Sequence, residues 1–449
     1  MKKLLTLLLT AIMAVACCFG LTACGEEEAK PATINMYNQY AYFAENVPDD
    51  FKIGFIFLHD EKSTYDLNFY SAAKEAVADM GLTAEQVIYK FNVPEGQECY
   101  DAAKELKEAG CKAIFANSFG HGGFMLQAAK DFTDVQFYHA TGAQASLNVD
   151  ADEANNVPAN FHNAFASIYE GRFIGGIAAG MKLNEMVKAK ETALGRALTA
   201  DELKAETKIG YVGAYPYAEV KSGYTSFYLG VKAVCPTVTM DVKFTNSWYD
   251  EVAEKAAAEA LIADGAKLIS QHADSMGAPS ACEKAGVPNV SYNGTTIADC
   301  PNTFIVSSRI NWAPYYSMII ASFAEDAEGN LLGEVEVPTD YTGSVQDGMV
   351  EILPLNAEVM AKGTLEKIYE TLNAFYMVED SSMVVFNCDN FTVNGQKLTT
   401  YKADVVDTGD FQGETEVIKG IPGIYSYFSE STFRSAPYFD IDIDGITIK

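Results

Sequence analysis

Tryptophan occurs twice and histidine five times in 449 residues, and basic side chains are scarce: 32 Lys and Arg stand against 61 Asp and Glu, a formal charge of −29. A surface of that sign repels phosphate backbones and anionic lipid headgroups, which excludes nucleic acid and polybasic membrane attachment as partners. Beyond the first two dozen residues there is no run of 18 continuous apolar residues, the minimum for a membrane-spanning helix. GxSxG, HExxH and P-loop patterns are missing. The six cysteines after residue 24 (99, 111, 235, 282, 300 and 388) form no CxxC pair and have no histidine at zinc spacing. No cofactor, no metal and no catalytic residues are therefore expected. Cys282 with Cys300 is a candidate disulfide, and His121 and His272 read as hydrogen-bonding wall residues near a cleft.

What is present is an ordinary globular composition, 49% hydrophobic and 21% charged, long enough for two to four domains with their own cores. The N-terminus carries an address. Lys2 and Lys3 precede an apolar run from Leu4 to Val15, too short to span a bilayer comfortably, and Leu21-Thr22-Ala23-Cys24 follows. That quartet resembles the bacterial lipobox, in which cleavage before a diacylglyceryl-modified cysteine makes it the first mature residue. Residues 1–23 read as a lipoprotein signal peptide, Cys24 as the lipidation site, and 24–50, with Glu26-Glu27-Glu28 and Pro48-Asp49-Asp50, as a tether from the membrane's extracytoplasmic face.

From Phe51 onward short apolar strands alternate with amphipathic helices: strands at 53–58, 86–91, 112–116 and 135–140, helices at 68–80, 97–109 and 124–132. A second series follows, with helices at 174–186, 220–234 and 251–264, strands at 209–213, 238–245 and 268–272, and a charged helical insertion at 188–207. This α/β alternation predicts parallel sheets flanked by helices, in two lobes. The expected division is an N-terminal lobe at 51–165, a C-terminal lobe at 166–292, a crossover at 293–342 returning to the first lobe, and lobe completion with a β-containing extension at 343–449. Within the extension, Asn394-Gly395 predicts a type I′ hairpin between strands at 385–389 and 391–401.

Ligands of such sheets bind beyond the carboxyl ends of the strands. The turns there are rich in aromatic and amide or carboxylate groups, among them Tyr65 and Asn68, Ser118 and Phe119, Tyr217, Trp248, Asp274, Asn293 and Trp312. Aromatic faces with a few polar groups suit a flat, polar-edged small ligand. The runs Lys52-Ile53-Gly54-Phe55, Asn117-Ser118-Phe119-Gly120, Ser167 to Arg172, Lys208 to Gly213, Thr245-Asn246-Ser247-Trp248, Gln271-His272-Ala273-Asp274 and Arg309 to Trp312 occur in that order over about 51 to 355. Together they resemble the basic membrane protein (BMP) family of ABC-transporter substrate-binding lipoproteins. The resemblance implies the type I periplasmic-binding-protein fold, two Rossmann-like lobes closing on a ligand, and a monomer that serves a permease and an ATPase. Better-understood members bind purine nucleosides. On that basis Tyr65 stacks on the base with Asn68 nearby, Ser118 and Phe119 line the first lobe's wall, Tyr217 and Trp248 the second's, and Asp274 grips the ribose hydroxyls. This chain departs from the family pattern twice, with Gly122-Gly123 where relatives carry an Asp at the base edge and Asn293-Gly294 where they carry a Lys beside the ribose.

Other classes fit less well. Ser71-x-x-Lys74, Lys221-Ser222-Gly223 and Ser291-Tyr292-Asn293 imitate the motifs of penicillin-recognising enzymes, but the last two come in reversed order and Ser71 falls within a helix. A surface receptor or sensor on the same fold, or a binding protein for riboflavin or a sugar, remains the alternative.

Overall fold

The computed structural model describes residues 39–145, 157–405, 415–421 and 423–449. The signal segment, Cys24 and most of the expected tether lie outside the described residues. In chain order the first lobe lays down β1 (Ile53–Ile56), α1 (Thr64–Asp79), β2 (Val87–Lys90), α2 (Gln97–Glu108), β3 (Ala113–Ala116), α3 (Gly122–Asp131), β4 (Gln136–Ala140) and β5 (Phe161–Ala166). The second lobe follows with α4 (Tyr169–Leu194), α5 (Ala200–Glu206), β6 (Lys208–Gly213), α6 (Ala218–Val234), β7 (Thr239–Phe244), α7 (Glu251–Ala263), β8 (Ile269–His272), α8 (Gly277–Ala285), β9 (Asn289–Tyr292) and β10 (Phe304–Ile310). Then come α9 (Ala313–Ala321), β11 (Asp340–Gly343) and β12 (Val350–Ile352).

The strands form two sheets. The first runs β11-β5-β4-β3-β1-β2 and is parallel throughout. The second runs β12-β10-β9-β8-β6-β7 with the C-terminal strand Ile446–Ile448 on the far edge, and only β12 is antiparallel. A parallel sheet covered by helices on both faces needs strands apolar on both faces, and every residue of β1, β3 and β5 is buried. In the second lobe α4 and α6 cross backbone to backbone. A Cβ on Gly176 would lie 2.1 Å from the Phe227 carbonyl oxygen, and one on Gly230 2.1 Å from that of Phe173, so only glycine allows this approach.

Three segments cross between the sheets: β5 into α4, β10 into α9, and β11 into β12. They are tied by Ser167 N–H to Gly343 O (2.8 Å) and Asn311 N–H to Met349 O (2.7 Å). Glu170, buried at the start of α4, accepts from Val345 N–H (2.7 Å) in one crossing and from the Ser381 hydroxyl (2.5 Å) in the C-terminal extension. Burial pushes its carboxyl up to about 7. Glu430, buried where the extension meets α6, accepts from the Ser222 hydroxyl (2.6 Å) and is likewise raised by burial to about 7.

Several expectations need correction. Residues 39–46 form a 3-10 helix, with Tyr40, Phe43 and Val47 packed on the core and Asn46 paired with Glu325, so the body begins before residue 50. Strand β10 pairs with β9, which keeps the second lobe going to Ile310; the return to the first lobe starts at Asn311 rather than 293. The charged stretch at 188–207 is not a separate insertion. Its first part continues α4 to Leu194, where Gly195 (φ +68°) ends the helix, and the capping box of Thr199 and Glu202 starts α5. Asn394 and Gly395 do turn with positive φ, at +51° and +74°, but without the flanking strands. The turn is closed by one antiparallel rung, Val393 and Gln396 exchanging both backbone bonds, and goes no further. Val385 ends a helix (Ser382–Val385), Cys388 N–H bonds to Ser426 O, and the Asp444 carboxylate accepts from the Thr392 hydroxyl and the Gly395 N–H, so long-range partners hold the turn beyond that rung. Cys282 and Cys300 are both buried and unpaired, and the Cys282 sulfur accepts from Asn289 Nδ2 at 3.8 Å.

Candidate functional site

A narrow cleft lies between the lobes, its two walls close together. The first lobe lines it with Leu58, His59, Tyr65, Ser118, Phe119 and Thr141, and the second with Glu219, Trp248, His272, Asp274 and Tyr292. Nearly all of them lie at or just beyond the carboxyl end of a strand, because parallel strands point their loops to one edge. The two walls touch: Thr64 donates from its amide (3.1 Å) and its hydroxyl (2.8 Å) to the Asp274 carbonyl oxygen.

The first lobe's polar groups are largely engaged before any ligand arrives. Asp66 accepts from the His59 amide (3.1 Å), lies 3.3 Å from His59 Nδ1 and accepts from Asn117 Nδ2 (2.8 Å). Burial works against ionisation of Asp66, but these bonds, with one from the Ser63 side, outweigh it and lower its pKa. The same contact with Asp66 raises His59. Tyr65 donates its hydroxyl to Asn117 O (2.7 Å), and the Ser118 hydroxyl donates to Glu95 (2.6 Å). What Tyr65 offers the cleft is its ring.

The second lobe presents charge with few partners. Asp274 is buried, and among the described residues its carboxylate has only a long contact from Asn293 Nδ2 (3.5 Å). Burial, reinforced by Glu254, Asp66 and Glu219 and opposed by Arg172, raises its pKa well above the ordinary range. Glu219, in the first turn of α6, lies 3.4 Å from His272 Nε2. Burial and then Arg172 push His272 down to about 4, so it is neutral and donates to Glu219. Arg172 stacks on the Tyr292 ring at 3.3 Å and gives one bond to Gln271 O (2.8 Å), while its Nε and Nη2 have no protein partner among the described residues.

The residues singled out from sequence fall into groups. Tyr65, Ser118, Phe119, Trp248 and Asp274 come together on the cleft wall. Tyr217 stands at its rim, exposed, with its ring 6.1 Å from Phe119 and 6.1 Å from Trp248. Asn293, with φ +65°, touches Asp274 from behind. Asn68 and Trp312 are not on the lining. Asn68 donates to Ile310 O (2.8 Å) and pins α1 to a crossing segment, and Trp312 is fully buried, stacked on Phe69 at 4.7 Å. His121 is buried against Val93 O, away from the lining. Leu58, Thr141, Glu219 and Tyr292 were not selected, although each follows or ends a strand and the same strand-end rule reaches them. Among the described residues no three His, Cys, Asp or Glu side chains are grouped to hold a metal ion, and no helix is long and apolar enough to cross a membrane.

Comparison with known proteins gives these walls a context. The chain is 32% identical over 276 residues to the purine-binding protein of Brucella abortus, covering 61% of this chain and 69% of that one. It is 29% identical over 222 residues to a Haloferax volcanii protein provisionally assigned as an ABC-transporter glucose-binding protein, spanning about half of each (49% and 48%). Among solved structures, an ABC-transporter solute-binding protein of Conexibacter woesei superposes with a TM-score of 0.54 at 17% identity, over 73% of this chain and 96% of that one, a likeness of fold alone. The model of the Bmp family, ABC transporter substrate-binding protein PnrA-like, matches residues 54–352, and the chain belongs to that family of two-lobed, ligand-capturing proteins.

Proposed function

We propose that the protein captures a purine nucleoside between its lobes on the extracytoplasmic face of the membrane and presents it to the permease and ATPase of an ABC importer, held at the surface by lipid on Cys24. The observation that carries the ligand class is Asp274, a buried carboxylate on the cleft wall with no donor nearer than 3.5 Å among the described residues. Such a group is stabilised by a ligand that brings two hydroxyl or N–H donors into a dry cleft, as a ribose diol does. Tyr65 on one wall and Trp248 on the other supply faces for a flat ring. Two carboxylates on the lining, Asp274 and Glu219, disfavour phosphorylated ligands, so the reading is a nucleoside rather than a nucleotide. The purine-binding Brucella relative supports the base. A sugar, favoured by the Haloferax relative, offers the same diol without the ring.

Capture rests on closure. Contacts from both walls at once, of the kind Thr64 makes to Asp274, supply the free energy that shifts an open population to the closed one. The test is thermal unfolding of the purified protein with nucleosides, free bases, nucleotides, riboflavin and sugars, because a ligand that binds only the native state raises its melting temperature. A rise with purine nucleosides and none with nucleotides is expected. A rise confined to sugars or riboflavin would overturn the ligand class.

A further inference from the structure

Thr141 is the first residue past β4, it lines the cleft, and it is a β-branched residue at φ +67°, in the left-handed region that such residues avoid. Strain of this kind persists only where the surroundings hold it, and here they do. The Thr141 amide donates to Ala164 O (3.0 Å). His139, whose pKa burial lowers to about 4, is neutral; its Nε2 donates to Ser118 O (2.7 Å) and its Nδ1 accepts from Asn163 Nδ2 (3.1 Å). Asn163 Oδ1 in turn accepts from Ala145 N–H (2.6 Å). The following residue must be glycine, since a Cβ on Gly142 would lie 2.3 Å from His139 Nδ1. The loop is thus clamped at both ends around a fixed imidazole.

The outcome of that clamping is a buried hydroxyl on a cleft-lining residue, with no hydrogen-bond partner among the described residues. A strained backbone, held by its surroundings, and a buried hydroxyl with no partner among the described residues coincide at one residue. The space behind it is closed as well: a Cβ on Gly122, the first residue of α3, would meet Gln144 at 2.6 Å and His139 at 2.7 Å, so that position cannot carry a side chain without displacing the cluster, whereas Gly123 beside it has open space. The hydroxyls of Tyr65 and Ser118 on the same wall are already engaged. We propose that Thr141 is a specificity-determining ligand contact, its Oγ1–H donating to an acceptor on the ligand, a ring nitrogen or carbonyl oxygen of the purine. The location rests on the cleft alone, and the identity of the acceptor rests on the purine nucleoside reading above.

The experiment is calorimetric titration of the full chain, wild type against Thr141→Val and Thr141→Ser, with adenosine, inosine, their 1-, 3- and 7-deaza analogues, and ribose and glucose. Thr141→Val keeps the shape and removes the donor. It should weaken nucleoside binding about tenfold, and Thr141→Ser should restore it to within about twofold. For the one deaza analogue that lacks the contacted nitrogen, or for adenosine, which lacks the carbonyl of inosine, if a carbonyl is read, the wild type should show the loss and Thr141→Val no further loss. Should Thr141→Val fold poorly, Thr141→Gly removes the same hydroxyl while relaxing the backbone and should show the same loss. Equal affinity of wild type, Val and Gly for whichever ligand binds would overturn the contact. A wild type that binds sugars but no purine, with Thr141→Val weakened toward the sugar, would overturn the purine reading and leave the contact standing.

Discussion

The two lobes are built from the same strand-helix repeat, yet they meet the cleft in opposite ways. The first lobe's wall is prepaid in hydrogen bonds: Asp66 holds His59 and Asn117, Glu95 holds Ser118, Asn117 holds Tyr65, and a ring face and one free hydroxyl are left over. Among the described residues the second lobe's wall keeps polar groups with few partners, in Asp274 and in the half-satisfied Arg172 against Tyr292. One wall is a shaped surface and the other an unfilled electrostatic demand. The lesson is that shape selectivity and binding free energy come from different lobes, so closure is needed to combine them.

The largest effect expected from breaking that division is at the charged wall. Asp274→Ala should cost on the order of a hundredfold or more in nucleoside affinity, since ligand hydroxyls lose a charged acceptor, while the unliganded melting temperature stays level or rises because a buried, poorly partnered carboxylate has gone. Calorimetric titration and a melting curve check both. Unchanged affinity would remove Asp274 from the ligand contacts.

The next effect is at the shaped wall. Tyr65→Leu should weaken binding about tenfold through loss of stacking, whereas Tyr65→Phe should stay within about threefold because its hydroxyl points to Asn117 O rather than into the cleft. Equal losses from both variants would argue against the ring as the binding element.

Affinity should also depend on pH through the charged wall. Because burial raises the pKa of Asp274, a proton competes with ligand donors for its oxygens. Binding should tighten as pH rises through its titration, and Asp274→Asn should flatten the profile. A wild-type profile as flat as that of Asp274→Asn contradicts this.

A smaller, separate effect concerns the hinge and the extension. Glu170 and Glu430 are raised to about 7 in the folded chain against an ordinary value of about 4.3 when unfolded. The folded state therefore binds more protons between those values, and stability falls as pH rises through that window and levels above it. Each group contributes on the order of a few kcal/mol to that slope. Glu170→Gln and Glu430→Gln should each flatten it and melt above wild type at pH 8. Melting temperatures that fall equally for wild type and both variants from pH 5 to 8 would exclude the effect.

The comparison of the lobes also explains what the sequence made legible. The parallel sheets follow from short apolar runs such as Ile53–Ile56 alternating with helices, and strand ends led directly to Tyr65, Ser118, Trp248 and Asp274. That rule locates a residue along the chain but not the side to which it turns. Trp312 sits at a strand end and faces the core, packed on Phe69, while Thr141 sits at another and faces the cleft. Only tertiary packing separates these cases. The extension was harder for a related reason: the Asn394-Gly395 turn and its Val393–Gln396 rung are local chemistry, but beyond them the chain is held by distant partners such as Asp444, some fifty residues on, rather than by a hairpin ladder. The same limit hid β10, whose partner β9 assigns it to the second lobe.

The most direct test of the account is calorimetric titration of wild type and Asp274→Ala with inosine and with 2′,3′-dideoxyinosine. If the second lobe grips a ribose diol through Asp274 while aromatic faces hold the base, the wild type should bind the dideoxy compound about a hundredfold more weakly than inosine, and Asp274→Ala should not distinguish the two. Equal binding of both compounds by the wild type would contradict the diol grip on which the nucleoside reading stands.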